Sequence, residues 1–274
     1  MGMDSIAAIV KTIWENELTF LFVLTRIASF VMALPLLGGG GTPPFVKALL
    51  AVAMTFILFP TVQGYFPPPS PTPYAKISLG LVVQGLLSEI VIGLVIGFGA
   101  RLIFAAVELG SEVAGMQIGF GVANAFDPIS NQQVSLMRQI YMAIAALVFL
   151  AIYGDHSVLK AMSHSFEWVP TTGFTIKGPL IEQIIRMGSD LFILGMKIAA
   201  PITIALLLAQ MAMGVISRVV PQIQIFLFSF PLTIGIGLIV FGLSISLYVS
   251  LLREQMGGSL ERQLSDLLLR MRVA

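Results

Sequence analysis

Six apolar runs occupy most of this chain: roughly Leu18–Leu37, Pro44–Val62, Ile77–Leu109, Leu136–Tyr153, Ser189–Met213 and Ile223–Leu252. Runs of that length restrict the backbone more than any other feature. A helix needs about 20 mainly apolar residues to cross a bilayer, and in lipid every backbone N–H and C=O must be satisfied inside the segment. The sequence therefore predicts an all-α, polytopic, membrane-type chain of helical hairpins. The third and sixth runs exceed one straight span, which predicts long helices that tilt, bend or break. Gly93, Gly97 and Gly99 in the third, and Pro231, Gly235 and Gly237 in the sixth, mark places for a break or a close helix approach.

Composition supports this. The chain is 57% hydrophobic and only 11% charged, against about 25% charged in a soluble domain. A formal net charge of +1 gives no overall case for nucleic acid or an acidic substrate. Cysteine is absent, which excludes disulfides and thiolate metal sites. The N-terminal stretch carries Lys11 but also Asp4, Glu15 and Glu17 and has no small-residue cleavage site, so no cleaved signal peptide is expected.

Punctuation divides the chain, a single subunit over residues 1–274, into four parts. N-terminal helical hairpins fill 1–109, with a tight turn at Gly38–Pro44 and a stiff extended connector at Pro67–Pro73. A distinct central segment covers 110–135 and C-terminal hairpins cover 136–252, with a polar region at Gly154–Gly188. The tail, 253–274, interleaves leucines with Arg253, Arg262, Arg270 and Arg272 and reads as an amphipathic helix at a surface or against a partner. Its arginines favour a cytoplasmic C-terminus, while Lys11 alone leaves the topology open.

The central segment, GSEVAGMQIGFGVANAFDPISNQQ, is neither a clean helix nor a polar loop. Gly115, Gly119 and Gly121 loosen it, and Met116, Ile118, Phe120, Val122 and Phe126 are too apolar for water. Asp127-Pro128 then breaks it, because the residue before proline is pushed out of the helical region. Such a loop at membrane depth is tolerated only where protein buries it or it lines a cavity, which makes it a candidate gate or plug.

Seven ionisable residues lie within or at the ends of the apolar runs: Arg26, Glu89, Arg101, Glu108, Arg138, Asp190 and Lys197. Each would cost about 2.5–3.5 kcal/mol at mid-bilayer. Two readings stand: an ion or proton relay, or pairing between helices and subunits, which is the commoner fate of such groups. Arg186 and Asp190 are one turn apart and can pair locally, and Asp190 and Lys197 share nearly one face at about 10 Å of rise.

No catalytic constellation emerges. Asp155 lacks a second aspartate in a matching membrane motif, as an intramembrane protease would need. Asp155, His156 and His164 lack the spacing of a metal site, and a glycine-capped helix end accounts for them more simply. No phosphate loop, nucleophile elbow or HExxH helix is present. The reading is a non-enzyme with no cofactor and no metal.

At Arg218-Val219-Val220-Pro221-Gln222-Ile223-Gln224-Ile225-Phe226, followed by Phe230-Pro231-Leu232, the sequence resembles the FliR family of flagellar biosynthetic proteins. Gly110, Glu112, Gly115, Gln117, Gly119 and Asp127-Pro128 match in the same order, Arg138 follows, and Arg26 and Pro35 extend the likeness through nearly the whole chain. Ser229, where glycine is common, and Asp155, where histidine is usual, depart from the pattern.

That resemblance implies a subunit of the type III secretion export gate, in the bacterial inner membrane and the flagellar basal body. Expected partners are FliP-like and FliQ-like subunits, an FlhB-like switch protein, unfolded export substrates and lipid, but not nucleic acid. In this family, bent hairpins assemble into a helical export-gate complex whose central loop forms a plug; here that loop is Gly115, Met116, Gln117, Ile118, Gly119, Phe120 and Gly121. Asp127, Pro128, Arg138, Arg218, Pro221, Gln222, Phe226, Phe230 and Pro231 are then expected as subunit-contact or structural residues. The expected function is part of a protein-conducting pore. The alternatives are a proton-coupled transporter using Asp190, Lys197 or Glu89, and a purely structural nucleator of the gate ring.

Overall fold

The computed structural model describes residues 17–34, 42–65, 79–119, 136–169, 178–219 and 225–271. Among them the regular elements are helices: α1 (Glu17–Ala33), α2 (Pro44–Val62), α3 (Leu79–Ile118), α4 (Leu136–Ala151), α5 (Gly154–Trp168), α6 (Gly178–Val219), α7 (Ile225–Met256) and α8 (Gly258–Met271), with one short 3-10 turn at Gln63–Tyr65. The all-α expectation holds. Four helical stretches are long and apolar enough to cross a membrane, Pro44–Val62, Leu79–Ile118, Gly178–Val219 and Ser229–Met271, and a fifth if α4 and α5 count as one broken span. Helix α1 has 17 described residues, a length of about 26 Å against a hydrocarbon core of about 30 Å. Thus four or five of the described stretches meet the length requirement rather than six.

Two compact units share these helices. The first takes Met1–Arg101, Asp155–Ile185 and Leu260–Ala274; the second takes Leu102–Gly154 and Arg186–Ser259. The chain therefore passes between units within α3 and within α6.

In the first unit α1 and α2 form an antiparallel hairpin. Pro44, at the first position of α2, gives up an N–H that a helix start leaves unused. Phe20, near the start of α1, packs edge-on against Phe56 and Phe59, near the end of α2, with ring centroids 5.5 Å apart in both pairs. Helix α3 runs parallel to α1: Gly85 abuts Phe22, Glu89 reaches Arg26, Gly93 meets Ser29 and Gly97 meets Ala33. Gly93 and Gly97 allow this approach. A Cβ built on Gly93 would lie 2.1 Å from Ser29 Oγ and 2.2 Å from the Arg26 carbonyl oxygen. Gly93 and Gly97 thus serve close approach, and α3 is unbroken through them.

The tail folds onto this unit. Leu260, Leu264, Leu267, Leu268 and Met271 are buried along one face of α8, the spacing of an amphipathic helix. Arg270 Nη1 donates to the Pro179 carbonyl at 3.3 Å. The apolar face anticipated for an outside surface or partner is consumed inside the chain.

In the second unit α3 and α4 run antiparallel, with Phe104 against Phe149 (5.5 Å) and Glu108 against Arg138. Helix α7 joins through Tyr248, whose hydroxyl donates to the Tyr141 carbonyl at 2.7 Å while the two rings meet edge-on at 4.7 Å. Helix α6 crosses α3 where two glycines meet: a Cβ on Gly110 would lie 2.6 Å from the Gly195 carbonyl oxygen. Pro231 and Gly237 leave α7 continuous, and Gly237 accepts Ile118 against its backbone. Two residues past the end of α4, Tyr153 takes a left-handed φ of 56° ahead of Gly154.

These approaches generate a test. Gly93→Ala is expected to destabilise the detergent-purified chain by about 1–3 kcal/mol, the usual cost of overpacking a filled site. Gly242→Ala, where an added Cβ meets nothing within 4 Å, is expected to be neutral or slightly stabilising. Thermal unfolding of both variants checks this, and equal behaviour would contradict the α1–α3 packing.

Candidate functional site

The first unit holds a fully buried ion pair. Arg26 on α1 and Glu89 on α3 both have side chains with no solvent exposure. Arg26 Nε donates to Glu89 Oε2, and Nη2 donates to Glu89 Oε1 at 3.0 Å, the two-pronged geometry that suits a planar guanidinium. Nη2 also donates to the Val169 carbonyl at 2.9 Å. Nη1 donates to the Ser165 carbonyl at 2.8 Å and to Ser165 Oγ at 3.2 Å. All five N–H donors of the guanidinium are thereby used, and its plane lies over the Phe166 ring at 4.4 Å.

Local structure explains the reach. Gly93, one turn beyond Glu89, brings α3 close enough for a short carboxylate side chain to meet Arg26. Ser165 lies in the last turn of α5 and Val169 just past it, where the helix dipole favours a cation; the Ser165 carbonyl accepts from the Val169 N–H at 3.0 Å as well as from Arg26. Arg26 thus caps α5 while pairing with α3. Ser165, Phe166 and Val169 escaped the sequence reading because only tertiary packing brings residues that far apart in the chain together.

The remaining charged candidates separate. Arg138 Nη1 meets Glu108 Oε1 at 2.9 Å, both side chains less than half exposed to solvent or nearly so (43% and 46%). Arg101, Asp190 and Lys197 are exposed. On α5, His156 Nδ1 lies 3.1 Å from Asp155 Oδ2 and His164 Nδ1 lies 3.4 Å from Glu167 Oε2, two local contacts on one helix. Among the described residues no three His, Asp or Glu side chains converge as a metal site would require.

The second feature is the end of α3. The sequence suggests a loop from Gly110, but α3 continues to Ile118. Gly115 is buried within the helix, Met116 is 58% exposed, and Ile118 is fully buried against Gly237. Burial inside the chain makes Ile118 a packing residue in this arrangement and leaves Met116 as the described apolar side chain that faces outward. Gly119 follows at φ 101°, a conformation that residues with a Cβ avoid, and its N–H donates to the Met116 carbonyl at 3.2 Å. A Cβ there would sit 3.7 Å from Phe230 Cδ1. The ring of the Phe-Pro motif therefore stands beside Gly119. Phe120, Gly121, Asp127, Pro128, Pro221 and Gln222 lie outside the described residues. Arg218 is exposed in the last turn of α6, Phe226 falls in the first turn of α7, and Pro231 is exposed inside α7.

With this geometry in place, comparison is informative. The sequence profile of the bacterial export proteins, family 1, matches residues 18–258. The chain belongs to that family. It is similar to the flagellar biosynthetic protein FliR of Escherichia coli K12, 29% identical over 82% of either chain. The Bacillus subtilis FliR is 27% identical over 88% of this chain and 92% of its own, and that of Aquifex aeolicus 27% over 85% and 87%. The resemblance read from the Arg-Pro-Gln and Phe-Pro motifs is borne out. As a member of the bacterial export proteins, family 1, with helices able to span a bilayer, the chain is a membrane-associated component of the flagellar export family.

The buried pair yields a cycle of variants. Glu89→Gln leaves the Arg26 charge buried without its carboxylate and is expected to cost about 3–5 kcal/mol. Replacing both, as Arg26→Met with Glu89→Met, is expected to recover more than half of that loss. Thermal unfolding of Arg26→Met, Glu89→Met and the double variant, each purified, measures the coupling. Additive losses in the double variant would contradict a paired site.

Proposed function

We propose that this chain is a core subunit of the flagellar type III protein export gate, and that Gly115–Gly121 contribute to its plug. In this reading it acts in the bacterial inner membrane within the basal body, beside FliP-like and FliQ-like subunits and an FlhB-like protein, and catalyses no reaction. The observation that carries the plug is Gly119. A 40-residue helix is followed by a glycine at φ 101°, with exposed Met116 one turn before it. Apolar constrictions hold back water and ions by dewetting, and unfolded substrates pass when the constriction swings aside on its glycines. Asp127, Pro128, Arg138, Arg218, Pro221, Gln222, Phe226, Phe230 and Pro231 then shape and anchor the surrounding turns.

The proton-coupled alternative is weakened by the engagement of Glu89, whose two oxygens both accept from Arg26. The nucleator alternative draws support from Ile118, which is committed to Gly237 rather than to an opening.

Deleting Met116–Gly121 is expected to raise ion leak across the membrane of energised cells while the gate still assembles. Unchanged leak with intact assembly would favour the nucleator. Gly119→Val, which forces a β-branched residue into a left-handed backbone, is expected to reduce secretion of flagellar substrates about tenfold, the factor that 1–2 kcal/mol of strain carries. Normal secretion in that variant would remove the hinge from the account.

A further inference from the structure

The outward row of α3 changes chemistry once within the first unit. Val83, Leu87, Ile90, Leu94 and Phe98 are exposed and follow one another at three- and four-residue steps, so they share one helix face. Arg101, three residues on, is exposed at the end of that row. From Val83 to Arg101 the helix rises about 27 Å, close to the thickness of a hydrocarbon core. Glu89, the other charge in this part of α3, is on the buried side against Arg26. Among the described residues Arg101 makes no hydrogen bond or ion pair.

Side-chain size separates the possible occupants of this row. Helices that pack together in a membrane bring small residues to the seam, and α3 turns Gly85, Gly93 and Gly97 toward α1. The outward row carries only bulky apolar side chains, the composition of a surface solvated by acyl chains. Water is a poor match for such a row. A second copy packed in parallel would set Arg101 against Arg101, a like-charge contact. Arg101 stands where the apolar row ends, an uncompensated cation whose planar guanidinium suits two phosphate oxygens at once.

We propose that Ile90, Leu94 and Phe98 seat the acyl chains of one anionic phospholipid and that Arg101 holds its phosphate. Ile90 and Arg101 are about 17 Å apart along the helix, the depth of one leaflet. A zwitterionic lipid offers the same phosphate but carries a cation of its own, so a net negative headgroup is preferred. One basic residue at the membrane surface favours anionic lipid by a factor of about five. The site depends on α3 being long and apolar enough to span a bilayer, and not on the export-gate reading.

A tryptophan on the row tests this. Trp14→Phe and Trp168→Phe remove both native tryptophans from the full chain, and Leu94→Trp supplies the reporter. The protein is reconstituted into vesicles of phosphatidylcholine with phosphatidylglycerol, one lipid at a time carrying bromine as a quencher. Brominated phosphatidylglycerol is expected to quench as though enriched about fivefold over its bulk fraction. Arg101→Gln is expected to abolish that enrichment. Arg101→Lys is expected to keep part of it, which separates loss of charge from loss of fold. Arg253→Gln, at an exposed position on α7, is expected to leave it unchanged. Equal quenching by the two lipids in the parent would overturn the site, as would loss of the enrichment in Arg253→Gln. In cells that also express the companion membrane proteins, a photocrosslinker at Leu94 is expected to form lipid adducts. Adducts to a companion or to a second copy would overturn the proposal.

Discussion

A guanidinium buried without access to water must be satisfied completely or it will not stay buried. In this chain Arg26 meets that demand by gathering three helices: its own, Glu89 on α3, and the carbonyl end of α5. Desolvating both charges offsets much of their attraction, so the pair is a weak source of net stability. Its contribution is arrangement. With all five donors engaged, displacement of any of the three helices strands a charge or a helix end.

The rest of the first unit is consistent with that constraint. Gly85, Gly93 and Gly97 remove side chains along the line where α3 meets α1, so the backbones come close enough for Glu89 to reach. The parallel course of α1 and α3 follows from these contacts, and the antiparallel α2 completes the hairpin through Phe20, Phe56 and Phe59. The second unit uses other means to the same end. A tyrosine hydroxyl on a backbone carbonyl joins α4 to α7, and facing glycines join α3 to α6. Both units spend small residues where helices cross and keep bulky apolar residues on the exposed faces of α2, α3, α6 and α7. That distribution suits a chain whose outer faces meet lipid and companion proteins.

Much of this was legible in the residues. Apolar runs predicted helices because lipid-facing backbone has few alternatives, and Gly93 and Gly97 were marked for close approach. Arg26, Glu89, Glu108 and Arg138 were marked as charges in need of partners, and the structure pairs all four. What could not be read was the identity of distant partners: nothing local in Ser165 or Val169 announces that their carbonyls receive an arginine from α1. Helix ends were also misjudged. Gly115 suggested a loop, yet a single glycine costs a helix only about 1 kcal/mol, and packing of Ile118 on Gly237 carries α3 to Gly119. The tail was legible as amphipathic, but its sequence did not say that the apolar face turns inward.

The functional account ties these observations together. Charges that would be untenable in lipid are paired inside the chain or exposed, and the long α3 is followed by a glycine in the left-handed region. The most direct measurement is a high-resolution reconstruction of the assembled export particle containing this chain. The account predicts that Arg26 remains clasped between Glu89 and the carbonyls of Ser165 and Val169, enclosed by its own three helices. Density showing Arg26 and Glu89 separated, with either turned toward a neighbouring subunit or an open channel, would contradict it.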